Sequence, residues 1–118
     1  MSSTSMSHEA RCFTLQEAKQ LLPQVRQITE ETVAEIERFR RARETAASPE
    51  ELIRIAQAMD KAVARWTNRI WGLGCVPRGL WLVDFDSGSG YFCWQHGEED
   101  IVFFRGYEEG FEDRVPIP

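Results

Sequence analysis

The stretch from Arg78 to Phe111 constrains the fold more than any other part of the chain, because it combines many aromatic side chains with short turns. Three hydrophobic runs lie within it, at residues 80–85, 91–96 and 101–105. Asp86-Ser-Gly-Ser-Gly90 and Gly97–Asp100 separate the runs, and glycine-containing loops of this length are typical of β-hairpins. The stretch therefore predicts three antiparallel strands that form a meander.

Side chains alternate along these strands, and the alternation predicts a sheet that is apolar on both faces. The simplest register places Phe85 opposite Tyr91 and His96 opposite Ile101. One face then carries Trp81, Val83, Phe85, Tyr91, Cys93, Gln95, Val102 and Phe104. The other carries Leu80, Leu82, Asp84, Phe92, Trp94, His96, Ile101, Phe103 and Arg105. Only one face can pack on the rest of a small domain, so we expect the second face to form an interface or a groove.

Two helices are predicted before the strands. Thr14 followed by Glu17, and Ser48 followed by Pro49 and Glu51, are helix start signals, because these side chains can bond the first free backbone groups of a helix. Apolar residues then recur at three- and four-residue spacing, which indicates one buried stripe on each helix. The first stripe is Ala18, Leu21, Val25, Ile28, Thr32, Ile36 and Phe39, and the second is Leu52, Ala56, Met59, Val63, Trp66 and Ile70. We expect the first helix to end near residue 46.

The 118 residues are expected to form one α+β domain, in which a long antiparallel helical hairpin packs on a three-stranded antiparallel β-meander. The domain is predicted over residues 13–118, with the hairpin at 14–71 and the meander and tail at 78–118. Residues 1–12 lack the basic start and following apolar stretch of a secretory signal. They are predicted to be a disordered leader.

Charge and cysteine content exclude several functional classes. Residues 72–118 hold three basic against nine acidic side chains, so nucleic acid is not an expected partner. No apolar run approaches the roughly 20 residues that span a bilayer, so no membrane association is expected. The three cysteines are scattered and odd in number, which favours free thiols in a reducing cytoplasm.

Several short pieces of the chain are similar to a known family. They are Phe13–Ala18, Leu21–Val25, Leu82–Phe85, Cys93-Trp94, Gly97-Glu98, Gly110-Phe111 and Arg114. Together they resemble an uncharacterised bacterial family, domain of unknown function 2203, over most of the chain from Phe13 onward. The resemblance implies no activity, cofactor or partner. Related sequences usually carry histidine where this chain has Arg105, so a role for that histidine would not carry over.

Asp84 is the sharpest candidate for a functional residue. In the predicted register it lies among apolar side chains, where an unpaired carboxylate is costly, and Arg105 lies two strands away on the same face. A structural Asp84–Arg105 ion pair is favoured, and the alternative is a charge pair that faces a substrate or partner. The candidate ligand site consists of Asp84, Phe92, Trp94, Glu98, Phe103 and Arg105.

Cys93, His96 and Cys75 are weak candidates for metal ligands. A Cys-x-x-His spacing suits zinc only where the backbone turns between the two ligands. In an extended strand residues 93 and 96 point to opposite faces, which also argues against a nucleophile pair. The sequence contains no catalytic set of residues at a suitable spacing, so it favours a non-enzyme without deciding the question, and it does not identify a cofactor.

These patterns favour a non-catalytic interaction module, with a homo-oligomer formed through the aromatic sheet face or the helical seam. The alternative is a small-molecule or metal-binding protein with a site around Asp84, Trp94 and Arg105. Self-association is the expected outcome of the first hypothesis, and a co-purifying ligand is the expected outcome of the second.

Overall fold

Two helices lead into an antiparallel sheet in residues 11–118, the part of the chain that the computed structural model describes. The helices are α1 (Leu15–Glu44) and α2 (Pro49–Gly72). The strands are β1 (Val76–Gly79), β2 (Leu82–Asp86), β3 (Tyr91–Gln95), β4 (Phe103–Arg105) and β5 (Val115–Pro116). The spatial order of the strands is their order in the sequence. The α+β class and the helical hairpin are confirmed.

The sheet has five strands, which corrects the predicted three-stranded meander. The additional strands β1 and β5 contain Pro77 and Pro116, and proline disfavours a strand because it cannot donate to the hydrogen-bond ladder. Both strands lie at the edges of the sheet, where a missing donor is tolerated. The two prolines therefore argue against strands at residues 76–79 and 115–116, although an edge strand can contain a proline.

Both helices begin at the predicted residues. Thr14 Oγ1 accepts a hydrogen bond from Glu17 N at 3.1 Å, and Glu17 Oε1 accepts one from Thr14 N at 2.9 Å. Ser48 Oγ accepts from Glu51 N at 3.1 Å. α1 ends at Glu44, two residues earlier than expected. No helix in residues 11–118 is both long and apolar enough to cross a membrane.

α2 is rotated slightly from its predicted orientation against α1. Ile55 and Ala62 are buried, whereas Leu52 and Ala56, which were placed in the seam, are exposed. Trp66 lies in the seam as predicted, and its Nε1 donates a hydrogen bond of 2.9 Å to Thr29 Oγ1. The stripe on α2 is thus wider than the surface that α1 covers.

Arg11 and Cys12, which the prediction assigned to the leader, lie against the domain. Arg11 N donates a hydrogen bond of 2.9 Å to Gly74 O, and Cys12 forms a β-bridge with Asp86. The other residues of the predicted leader, 1–10, lie outside the described residues.

The register of the sheet differs by one residue from the predicted register. Asp86, not Phe85, lies opposite Tyr91, because the loop between β2 and β3 is closed by a hydrogen bond of 2.8 Å from Ser87 N to Gly90 O. A shift of one residue exchanges the faces of a strand relative to its neighbour. Asp84 therefore shares its face with Cys93, and not with Phe92 and Trp94 as predicted.

The face of the sheet that contacts the helices contains Val83, Phe85 and Trp94, all fully buried. They form one core with residues of both helices and the segment before α1, namely Phe13, Ala18, Leu22, Val25, Ile28, Trp66 and Ile70. Trp94 was predicted to line a ligand site and is instead a core residue.

The second face of the sheet is covered by the chain's own C-terminal segment, residues 107–114. Tyr107 packs edge-on against Tyr91, with ring centroids 5.1 Å apart. The Arg114 guanidinium lies over the Phe103 ring at 4.3 Å and over the Phe111 ring at 4.5 Å. The apolar face expected to remain open is therefore occupied within the same molecule.

Removal of the Thr29 hydroxyl tests the polar contact inside the helical seam. We expect Thr29→Val to lower the free energy of unfolding by about 1–3 kcal/mol, because it leaves the buried Trp66 Nε1 without an acceptor. Urea denaturation measures this change. Thr67→Val is the matched control: its hydroxyl bonds only the Val63 carbonyl of its own helix, so a change within about 0.5 kcal/mol is expected. Equal effects of the two substitutions would contradict the assignment.

Candidate functional site around Asp84

Asp84 is fully buried in the middle of β2 and accepts hydrogen bonds from two arginines. Its Oδ2 accepts from Arg105 Nη2 and, at 2.8 Å, from Arg78 Nε. The Asp84–Arg105 ion pair predicted from the sequence is present. The carboxylate thus joins β1, β2 and β4 through side chains.

Arg78 reaches this carboxylate because it is the extra residue of a β-bulge. Pro77 lies opposite Val83 and Gly79 opposite Leu82, so Arg78 has no partner on β2. A bulge re-aims the side chain of the inserted residue and is frequent beside functional sites. Sequence reasoning missed Arg78, and the only local signal was its position between a proline and a glycine.

The turn that follows the bulge contains a second backbone irregularity. Trp81 has φ +66°, the left-handed region that a bulky side chain rarely adopts. Its ring packs edge-on against Trp66, with centroids 5.1 Å apart. This contact fixes the turn against α2 and thereby also positions the C-terminal end of β1, where Arg78 lies.

Tyr91 lies close to both guanidinium groups. The ring centroid is 5.1 Å from Arg78 Cζ and 4.8 Å from Arg105 Cζ. An aromatic face attracts a cation at these distances by about 0.5–2 kcal/mol, depending on solvent exposure. Asp84, Arg78, Arg105 and Tyr91 together form the Asp84 cluster. Arg105 also donates a hydrogen bond from Nη1 to the Glu109 carbonyl oxygen, which connects the C-terminal segment to this cluster.

The electrostatics of the cluster favour charged arginine at its outer end. Burial opposes the charge of Arg78, but the hydrogen bond and the negative charge of Asp84, together with a side-chain hydrogen bond to Tyr91, outweigh it and raise the pKa of Arg78. Two buried polar atoms, Asp84 Oδ1 and Arg105 Nε, have no hydrogen-bond partner among residues 11–118. The arrangement can hold a cationic side chain in a fixed position at the surface.

Cys93 lies beside the Asp84–Arg105 ion pair, and its thiol is expected to be unreactive near neutral pH. Burial, followed by the charge of Asp84, raises the pKa of the Cys93 thiol to about 12. Burial likewise raises the pKa of Cys75 to about 12. Such thiols stay protonated near neutral pH and are poor nucleophiles and ligands. In the described part of the chain, no group of three or more His, Cys, Asp or Glu residues is placed to hold a metal ion, and this includes Cys93, His96 and Cys75.

The six residues of the predicted ligand site divide between the two faces of the sheet. Asp84 and Arg105 lie together, and Arg114 links Phe103 to Glu98, with which it forms an ion pair of 3.0 Å. Phe92 and Trp94 lie on the helix-facing side. Trp94 Nε1 donates to the Glu98 carbonyl oxygen at 2.8 Å, so the indole is satisfied inside the fold.

A shallow cleft of about 440 Å³ lies elsewhere, between the start of α1 and the loop after β2. Its lining consists of Cys12, Phe13, Thr14, Glu17, Ser87, Ser89, Phe92 and Phe104. Phe92 is the one member of the predicted site that contributes to it.

Comparison with known proteins identifies a family for this chain. A family model described as "Uncharacterized conserved protein (DUF2203)" matches residues 11–117. No curated protein and no solved structure matches the chain.

Removal of one partner tests the buried ion pair. We expect Asp84→Asn to lower the free energy of unfolding by about 3–5 kcal/mol, because Arg105 would remain buried without a counter-charge. The double substitution Asp84→Leu with Arg105→Met should recover most of this loss, since apolar replacement of a buried pair is often neutral. Chemical denaturation compares the three proteins. A stable Asp84→Asn protein would contradict the structural account of the pair.

Thiol reactivity tests the environments of the three cysteines. Cys12 is exposed, whereas Cys75 and Cys93 are buried and have raised pKa values. A chromogenic disulfide reagent at pH 8 should therefore modify one thiol per native chain rapidly and the other two only after unfolding. Cys12→Ser should abolish the rapid phase. Rapid reaction of two or three thiols would contradict the burial of Cys75 and Cys93.

Proposed function

Because the chain belongs to the uncharacterised conserved family DUF2203, whose description names no activity, we propose a function from its exposed surface. The protein is a non-catalytic interaction module that self-associates through the apolar side of the helical hairpin. This surface is the α2 stripe: Leu52, Ile53, Ala56, Met59 and Val63.

The exposure of the α2 stripe is the observation that carries the proposal. Leu52 is 42% exposed and Ile53 57% exposed, and Ala56 is exposed beside them. Met59 and Val63 continue the stripe at helical spacing and are partly buried. A helix with an apolar surface wider than one neighbour covers is typical of a helix that contacts a second partner.

The sheet region also exposes large apolar side chains, but Leu80, Val102 and Tyr107 lie in connecting segments and Val115 lies in the edge strand β5, so they do not follow one element as the α2 stripe does. The first face of the sheet packs on the helices, and residues 107–114 lie over its second face. Its edge strands contain Pro77 and Pro116, which weakens pairing with another strand. These observations support the hairpin, and not the aromatic sheet face, as the contact surface.

A second copy of the chain is the partner that we propose. Two equivalent apolar stripes related by a two-fold axis cover each other, and antiparallel packing of two hairpins gives a four-helix arrangement. The proposal includes a reducing, cytoplasmic location, which the three free cysteines support.

Charge placed in the α2 stripe tests the proposal. We expect the wild-type protein to be a dimer and the variant Leu52→Glu/Ile53→Glu to be a monomer, because dimerisation would bury the new carboxylates. Native mass spectrometry and sedimentation velocity measure the oligomeric state. The variant should remain folded, since both side chains are exposed.

The matched control is Lys61→Glu, which places a carboxylate on the opposite side of α2 and should leave the dimer intact. A wild-type protein that is monomeric at all concentrations would overturn the proposal. A dimer that survives both glutamates would place the interface elsewhere and would also overturn it.

A further inference from the structure

We propose that Arg78 is the recognition residue of an oxyanion-binding site at the outer end of the Asp84 cluster. The ligand class is a small molecule that carries a carboxylate or phosphate group. The site is independent of the α2 stripe, so it goes beyond the interaction proposed above.

The exposure of Arg78 distinguishes it from the buried members of the cluster. Its side chain is 41% exposed, whereas that of Arg105 is 4% exposed. Nε of Arg78 bonds to Asp84, so that edge of the planar guanidinium faces inward. The Arg78 side chain also hydrogen-bonds the Tyr91 side chain. The remaining N–H groups of the two terminal nitrogens are the donors from which an oxyanion can accept.

The geometry of Arg78 is set before any ligand arrives. The bulge aims the side chain, Asp84 holds Nε, and the Tyr91 ring lies beside the guanidinium. A free arginine loses considerable rotamer freedom when it binds a ligand, and a held arginine has already lost it. A preorganised arginine at the end of a strand is therefore suited to ligand recognition more than to a general surface role.

The local charge also favours an anion. Two guanidinium groups share the single carboxylate of Asp84, so the group formed by Arg78, Asp84 and Arg105 carries a net positive charge. The next carboxylate along β2, Asp86, is engaged by the Tyr107 hydroxyl at 2.6 Å and by Gly88 N at 2.8 Å. Residues 72–118 carry a net negative charge, which repels anions, so within this part of the chain an anion is expected to bind only beside a local positive charge such as Arg78.

Titration with simple oxyanions tests the site. ¹H–¹⁵N chemical shifts of the full chain would be followed during addition of sodium phosphate or sodium acetate, with sodium chloride at equal ionic strength as the blank. We expect saturable shifts around Arg78, Gly79 and Tyr91 with at least one oxyanion and none with chloride. Saturation by phosphate alone identifies a phosphoryl ligand, by acetate alone a carboxylate ligand, and by both a site that reads only the shared oxyanion chemistry.

Three variants separate recognition from general charge. Arg78→Gln should weaken binding by about tenfold or more, because it removes a charged donor. Arg78→Lys should keep the charge and the fold but bind more weakly than wild type, because an ammonium group lacks the planar fork. Arg54→Gln, which removes an exposed arginine from α2, should bind like wild type.

Two results would overturn the proposal. The first is the absence of saturable shifts with either oxyanion. The second is equal binding by wild type, Arg78→Gln and Arg78→Lys. The variant Leu52→Glu/Ile53→Glu should bind oxyanions like wild type, so failure of the oxyanion site and failure of self-association are distinguishable.

Discussion

A buried carboxylate is costly unless cations and donors surround it, and the position of Asp84 places this requirement on the whole sheet. Arg105 and Arg78 meet the requirement from β4 and β1. Arg105 shares a face with Asp84 in the observed register and also in the predicted one, because the one-residue shifts on the two sides of β3 cancel. A slip of one residue would bury the carboxylate among helix-facing aromatic side chains. The ion pairs therefore link β2 to β1 and β4, and the closed β2–β3 loop sets the register of β3 between them.

The same pair explains why the second face needs a cover. Arg105 is almost fully buried, and its burial depends on residues that follow β4. The Glu109 carbonyl accepts from Arg105, and Phe111 and Arg114 extend the layer over Phe103. The C-terminal segment thus has a structural purpose. It removes part of the aromatic surface from solvent, and α2 keeps Leu52 and Ile53 exposed on one side of the hairpin.

Local signals predicted the parts of the fold that depend on neighbouring residues. The caps at Thr14 and Ser48 need only side chains three residues apart, and a charge within an apolar strand was enough to pair Asp84 with Arg105. The register depended on one residue of loop length, which sequence patterns do not resolve. Arg78 was missed because a bulge exists only relative to the partner strand, and Trp94 was misplaced by the same one-residue error.

The prolines at the two edges of the sheet have a consequence for how copies of this chain can accumulate. Pro77 and Pro116 present no amide to an incoming strand. Association through strand edges is open-ended, because every added strand exposes a new edge, and it leads to filaments. The two-fold contact that we propose between helices is fully occupied once two molecules have associated. Crowding should therefore drive this protein toward a finite particle, not toward fibrils.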